Sequence, residues 1–99
     1  MTLRQKQSRF AFMVGKLILY AYDRGFELTL GDAYAVSGHK TNSNHYIRLA
    51  IDLNLFKDGK FITDGTGHDV LHDYWDDMGG APRILKDMNH YSLEHNGAW

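Results

Sequence analysis

The sequence predicts a single α+β domain, and three patterns predict it. These are an apolar stripe at helical spacing near the start, an alternating apolar run closed by Asp-Gly, and a second helical stripe beyond it. Phe10, Met13, Val14, Leu17, Ile18 and Ala21 recur at steps of three and four, which places one side of a helix against a core. Gly25 suits the C-terminal cap of that helix, with Arg24 in its last turn. Glu27-Leu28-Thr29-Leu30 reads as a short strand, and the polar, Gly-containing stretch from Gly31 to Asn44 as a loop with one helical turn around Ala33-Tyr34-Ala35. Leu49 to Phe56 alternates as a strand does. Lys57-Asp58-Gly59-Lys60 then gives the strongest short hairpin signal, with Phe61-Ile62 as the returning strand. Gly67 to Met78 suits a second helix, with Val70, Leu71, Tyr74, Trp75 and Met78 on its apolar side and His68 and His72 outside. Gly79-Gly80-Ala81-Pro82 breaks it, and His90 to Leu93 reads as a last strand. Trp75, Phe56 and Phe61 are expected in the core.

The bulk properties exclude several classes. A chain of 99 residues allows one domain, and it shows no repeat, linker or low-complexity segment. Net charge is −1 with scattered basic residues, which gives no electrostatic footprint for nucleic acid. Cysteine is absent, so a metal here must be held by carboxylates and by some of the six histidines. Arg4, Lys6 and Arg9 precede an apolar run, as in a secretion signal, but Lys16 interrupts the run and no small-residue cleavage site follows. The same run is too short and too charged to span a bilayer. The expectation is therefore no signal peptide and no stable membrane association.

The candidate chemistry lies in two short segments, Ser43-Asn44-His45-Tyr46-Ile47-Arg48-Leu49-Ala50-Ile51-Asp52 and Asp87-Met88-Asn89-His90. Two imidazoles and a carboxylate, from His45, His90 and Asp52, supply three ligands for Zn2+ and leave one position for water, the arrangement of catalytic zinc. Asp87 is close enough to act as a base beside it. His45 and Asp52 stand seven positions apart, so one regular strand would turn them to opposite faces. They share a metal only where His45 lies in the turn before the strand, or where a bulge intervenes. Asp87 and His90, three apart, need Asp87 to precede its strand. His68-Asp69-Val70-Leu71-His72 is a competing pair, two His at i and i+4 on one helix face, but no third ligand accompanies it.

Ser-x-His-(x)4-Ala-x-Asp followed by Asp-x-x-His resembles the zinc D-alanyl-D-alanine peptidases of the VanY/VanX-like family, and most closely their small phage branch of L-alanyl-D-glutamate endopeptidases. Leu28 to Tyr34, Arg48 to Phe56, Tyr74-Trp75 with Gly79-Gly80, and Asn89 to Gly97 are similar to that branch too. The resemblance implies a small antiparallel sheet carrying a zinc site, packed by two main helices, as in the Hedgehog and D-Ala-D-Ala peptidase folds. It implies His45, Asp52 and His90 as ligands and Asp87 as the acid/base. Ser43, Arg48, Lys40 and His95 are further candidates for substrate binding or for holding ligands in place. Two positions depart from the pattern. Many members have Gly where Arg48 stands, and relatives in the phage branch commonly have Arg where Ala35 stands. Either Lys40 or Arg48 takes that arginine's place, or the enzyme is weakened or retargeted.

The implied function is zinc-dependent hydrolysis of an amide bond in a bacterial peptidoglycan stem peptide, as an L-alanyl-D-glutamate endopeptidase in phage lysis. The alternatives are a D-alanyl-D-alanine carboxypeptidase and a catalytically weak zinc-binding relative with a wall-binding or structural role. Residues 1–99 are expected to form the catalytic domain with no separate wall-binding domain, as a monomer. The expected setting is the cytoplasm of the producing or infected bacterium. Access to the wall is then expected through a membrane pore of the holin kind.

Overall fold

The computed structural model describes residues 1–99. In chain order it contains α1 (Leu3–Asp23), β1 (Glu27–Leu30), a 3-10 turn (Asn44–Ile47), β2 (Ala50–Lys57), β3 (Lys60–Phe61), α2 (Thr66–Asp77) and β4 (His90–Ser92). The α+β class is as expected. Helix α1 begins earlier than its apolar stripe because Thr2 and Gln5 form a reciprocal capping box. No helical turn forms around Ala33-Tyr34-Ala35; the turn comes instead at Asn44–Ile47, where the Ser43 hydroxyl accepts the His45 N–H at 3.2 Å. The other boundaries fall within a residue or so of the expected ones.

All pairing is antiparallel, and β2 is the hub. Strand β1 runs along one edge, with Leu30 opposite Leu53 and Glu27 opposite Phe56. The other edge is shared: β4 pairs the start of β2 through Asp52↔His90, while β3 pairs its end through Lys57↔Lys60. A gap therefore opens between β3 and β4 beside the middle of β2. The Asp58-Gly59 turn has positive φ at both positions, 52° and 76°, the geometry that keeps a two-residue hairpin in step with strand twist.

Alternation divides β2 into two faces. Ile51, Leu53 and Leu55 point to the core, where Met13, Leu17 and Ala21 of α1, Leu71 and Trp75 of α2, and Tyr91 of β4 meet them. Asp52 and Asn54 point away. Trp75 is core as expected, but Phe61 is 54% exposed, because β3 is a two-residue edge strand with nothing laid over it. The histidines of α2 also differ from expectation. His68 and His72 lie inside, with Gly67, Leu71 and Trp75, while Val70 faces solvent.

The Trp75 indole N–H donates to the Ser92 carbonyl at 2.9 Å and joins α2 to β4. The turn after α2 passes directly over it, and a Cβ added at Gly80 would lie 2.0 Å from Trp75 Nε1. Gly80→Ala is therefore expected to destabilise the fold by about 1–3 kcal/mol, the usual cost of overpacking a filled core. Urea denaturation of the variant checks this, and a midpoint equal to wild type would contradict it. No helix is long and apolar enough to cross a membrane.

Candidate metal centre

The site is built around Asp52 on the outward face of β2. Both backbone groups of Asp52 are fixed, its N–H donating to Asp32 O at 3.0 Å and its carbonyl accepting from Gly31 N at 2.8 Å. The approach of the two chains is close enough that a Cβ at Gly31 would sit 3.0 Å from Asp52 Cβ. Sheet register sets His90 opposite Asp52, so the two side chains emerge on one face. His45 arrives from the 3-10 turn before β2, not from the strand, which meets the first of the two conditions set by its spacing. Asp87 precedes β4, in a turn closed by Asp87 N to Ile84 O at 2.8 Å and His90 N to Asp87 O at 3.1 Å.

Asp52 Oδ1 lies 3.3 Å from His45 Nε2 and 3.6 Å from His90 Nδ1. Donors bound at ~2.0–2.1 Å to one tetrahedral ion stand roughly 3.3–3.4 Å apart, so Asp52 is spaced to share an ion with either ring, while His45 and His90 fall into separate metal-holding groups around it. Asp52 Oδ1, which faces both rings, is buried with no hydrogen-bond partner in the protein, although buried polar atoms ordinarily find one; His45 Nδ1 and His90 Nε2, the ring nitrogens farther from Asp52, are buried and partnerless as well. Burial acts to raise the Asp52 carboxyl, but the flanking His45 and His90 rings outweigh it and hold the group below the ordinary carboxylate range. An anion between two imidazoles is thus available at neutral pH.

Two groupings of side chains could hold a metal ion, and Asp52 belongs to both. Asp87 joins Asp52 and His90 in one, so the side chain expected to act as a base is also within reach of the ion. His39 joins His45 and Asp52 in the other, and no motif had marked it. Its ring stacks on His45 at 4.0 Å, and its Nε2 lies 2.9 Å from Asp32 Oδ2. The signal for His39 was weak in the sequence: a single His in a polar loop, six residues ahead of His45.

A cavity of ≈ 310 Å³ opens over the centre, lined by His39, Lys40, Ser43, His45, Asp87, His90 and, unanticipated, Trp99. Lys40 and Ser43 therefore stand with the expected ligands, and Ser43 also holds the backbone of His45. Arg48 and His95 do not. Arg48 stacks on the Tyr34 ring at 3.8 Å and lines a separate groove with Gln7 and Phe10. His95 Nδ1 meets Lys6 Nζ at 3.2 Å beside a third hollow. Arg48 caps the 3-10 turn at φ 59°, a left-handed conformation that favours glycine.

A buried polar layer braces the segment carrying Asp87 and His90 from behind. His72 Nε2–H donates to the Met88 carbonyl at 2.7 Å, its ring stacked on Tyr91 at 4.1 Å. His68 Nδ1 meets the Tyr91 hydroxyl at 2.7 Å. Each α2 histidine thus has a ring nitrogen engaged within the protein, and neither belongs to a metal-holding group. Outside, Arg83 binds Asp69, Asp73 and Asp76 at 3.0, 2.7 and 3.0 Å, tying the loop after α2 to its helix.

Burial depresses both α2 histidines, His68 to about 4 from an ordinary value of 6.5, which keeps it neutral in the fold. Unfolded chain binds the extra proton first, so this contribution to stability is complete above pH 6.5 and falls as pH drops towards 4. The loss amounts to about 3 kcal/mol for His68 at the acid end of that window. Asp52, whose folded carboxyl is depressed, adds its own loss only below the ordinary carboxylate range. His68→Gln is expected to flatten the acid limb between pH 6.5 and 4, as read by denaturation at a series of pH values. An unchanged slope would contradict this account. Compared with protein-family models, with curated proteins and with solved structures, the chain matches none.

Proposed function

We propose that the protein is a zinc-dependent peptidase acting on the stem peptides of bacterial peptidoglycan, with the fold of the VanY-like peptidases that its motifs resemble. The observation that carries this reading is the Asp52 carboxylate between His45 Nε2 and His90 Nδ1, with Asp87 in one metal-holding group with Asp52 and His90. His45, Asp52 and His90 would hold the metal, and His39 is placed to adjust the ring of His45. Zinc, when bound, supplies Lewis acidity towards a carbonyl oxygen and makes nearby water more acidic.

The chain's own residues do the rest. Asp87 is exposed at the cavity and accepts a proton from the attacking water, then delivers it to the departing amine. Asp52 brings negative charge to the centre and moderates its acidity. Lys40 is the cation at the cavity, in the role of the arginine that the phage branch carries near Ala35. The preferred bond is L-alanyl-D-glutamate, with D-alanyl-D-alanine as the alternative.

Purified protein loaded with zinc and given soluble wall fragments tests this. The expected result is release of new amino groups, with product masses naming the bond cleaved. A second reading, a zinc-binding wall module without turnover, is supported by Arg48 lying against Tyr34 and away from the cavity. Zinc uptake with no product over prolonged incubation would favour that module and sink the peptidase.

A further inference from the structure

We propose that the centre takes a second divalent metal ion, held by His39, His45 and Asp52, with the Asp52 carboxylate bridging it to the first. The inference goes beyond the peptidase reading and stands whether or not the centre cuts a peptide. The two metal-holding groups are each complete sets of three, His39, His45 and Asp52 in one, and Asp52, Asp87 and His90 in the other. Within each set the ligand atoms lie within 4.8 Å of one another, and Asp52 is the member they share. An ionised carboxylate has two oxygens and about four lone-pair sites, enough to serve an ion on either side. With one ion present, His45, Asp52 and His90 are its ligands. A second ion takes His45 together with His39 and leaves Asp87 within reach of the first.

His39 is prepared for this role. Its Nε2 lies 2.9 Å from Asp32 Oδ2, and an ionised carboxylate only accepts, so Nε2 carries the ring proton and Nδ1 keeps the lone pair that a metal needs. A carboxylate behind an imidazole fixes the tautomer and ring orientation of metal-bound histidines and makes the other nitrogen a better donor. The backbone of His39 is held on both sides by Tyr46. Its N–H donates to the Tyr46 hydroxyl at 2.9 Å, and that hydroxyl donates to its carbonyl at 2.7 Å. These bonds orient the residue within its loop, with the ring stacked on His45 at 4.0 Å. His45 is an independent sign of a ligand, being 2% exposed with Nδ1 unpartnered and Nε2 turned to Asp52. Charge favours a pair of ions as well. Asp32, Asp52 and Asp87 stand around the two positions, and Lys40 is the one lysine or arginine at the cavity. Imidazole with carboxylate suits zinc and its first-row neighbours, whereas calcium and magnesium take oxygen ligands.

The test titrates metal-free protein with Zn2+, by calorimetry and by native mass spectrometry, and needs no substrate. The expected result is two ions per chain, the second bound more weakly because the first repels it. His39→Phe keeps a ring over His45 and removes both nitrogens, and should hold one ion. Asp32→Asn leaves its backbone carbonyl to accept the Asp52 N–H, and should weaken the second ion by about 10–100-fold while sparing the first. This variant carries the test if His39→Phe loses the fold. Cobalt in both positions reads the bridge. Paired ions stand roughly 3.5–4 Å apart, so two cobalt ions on one carboxylate should give a spin-coupled electron paramagnetic resonance signal. One ion per chain in wild type at saturating zinc, or two in His39→Phe, would overturn the second position. Two uncoupled cobalt ions would overturn the bridge by Asp52. Protein that takes two ions and cuts no wall peptide counts against the peptidase reading alone. Protein that cuts wall peptide yet saturates with one ion counts against the second position alone.

Discussion

Asp52→Asn is expected to weaken zinc binding by more than about 100-fold while the protein stays folded. Changes to groups that merely orient a ligand already cost 10–100-fold, and Asp52 is itself the shared donor between two imidazoles. The substitution keeps the shape of the side chain and removes its charge. The backbone bonds from Gly31 N and to Asp32 O, which fix this part of β2, do not involve the carboxylate. Metal content after dialysis, and calorimetric titration of zinc, measure the effect. Chelation should lower the melting temperature of wild type, since an ion bound only by the native state at 100 times its Kd adds about 2.7 kcal/mol. It should leave the Asp52→Asn melting temperature unmoved. One tightly held zinc in the variant would show that the centre lies elsewhere.

Asp87→Asn should leave zinc in place and remove turnover, by about 10²–10⁴ in kcat, the range that a positioned acid/base contributes. KM should change little. The side chain is exposed and makes no hydrogen bond in the fold, whereas its backbone N–H and carbonyl close the turn before His90, so the variant should fold as wild type does. Because Asp87 belongs to a metal-holding group with Asp52 and His90, zinc stoichiometry must be measured on the same sample. Full activity with Asn at this position would remove Asp87 from the mechanism.

Much of this was readable in the residues, and the failures have physical causes. Periodicity locates both helices and β2, which bury a regular face, and the Asp-Gly turn locates β3, whose residues are exposed. Apolar residues alone give α2 an inner side of Val70, Leu71, Tyr74, Trp75 and Met78; Leu71 and Trp75 are indeed buried, but the rest of the buried stripe is Gly67, His68 and His72. A histidine with its ring nitrogen satisfied by Tyr91 or by Met88 O packs like any flat apolar side chain, and hydropathy does not register that. The juxtaposition of His45, Asp52 and His90 was legible, since turn and strand positions decide the face. His39 and Trp99 were not, because loop geometry and not local pattern carries them to the cavity. Arg48 was misplaced for a related reason. Its left-handed backbone leads the side chain onto Tyr34, and spacing along the sequence does not encode that turn.

Strand β2 is bonded along both edges, at Asp52 by Gly31 and Asp32 and at Leu53 by Asn89. Its amides should therefore be among the last to exchange with deuterium, opening only with the whole fold. The loop residues around the same centre, His39 and Asp87, lie outside the sheet, held by the Tyr46 hydroxyl and by a single turn respectively, and should open on shorter timescales. The centre thus has one permanent wall and one that breathes. An ion would come and go by way of the breathing side, at a rate set by loop opening and independent of the unfolding rate, so metal exchange should remain fast even where the protein as a whole unfolds slowly.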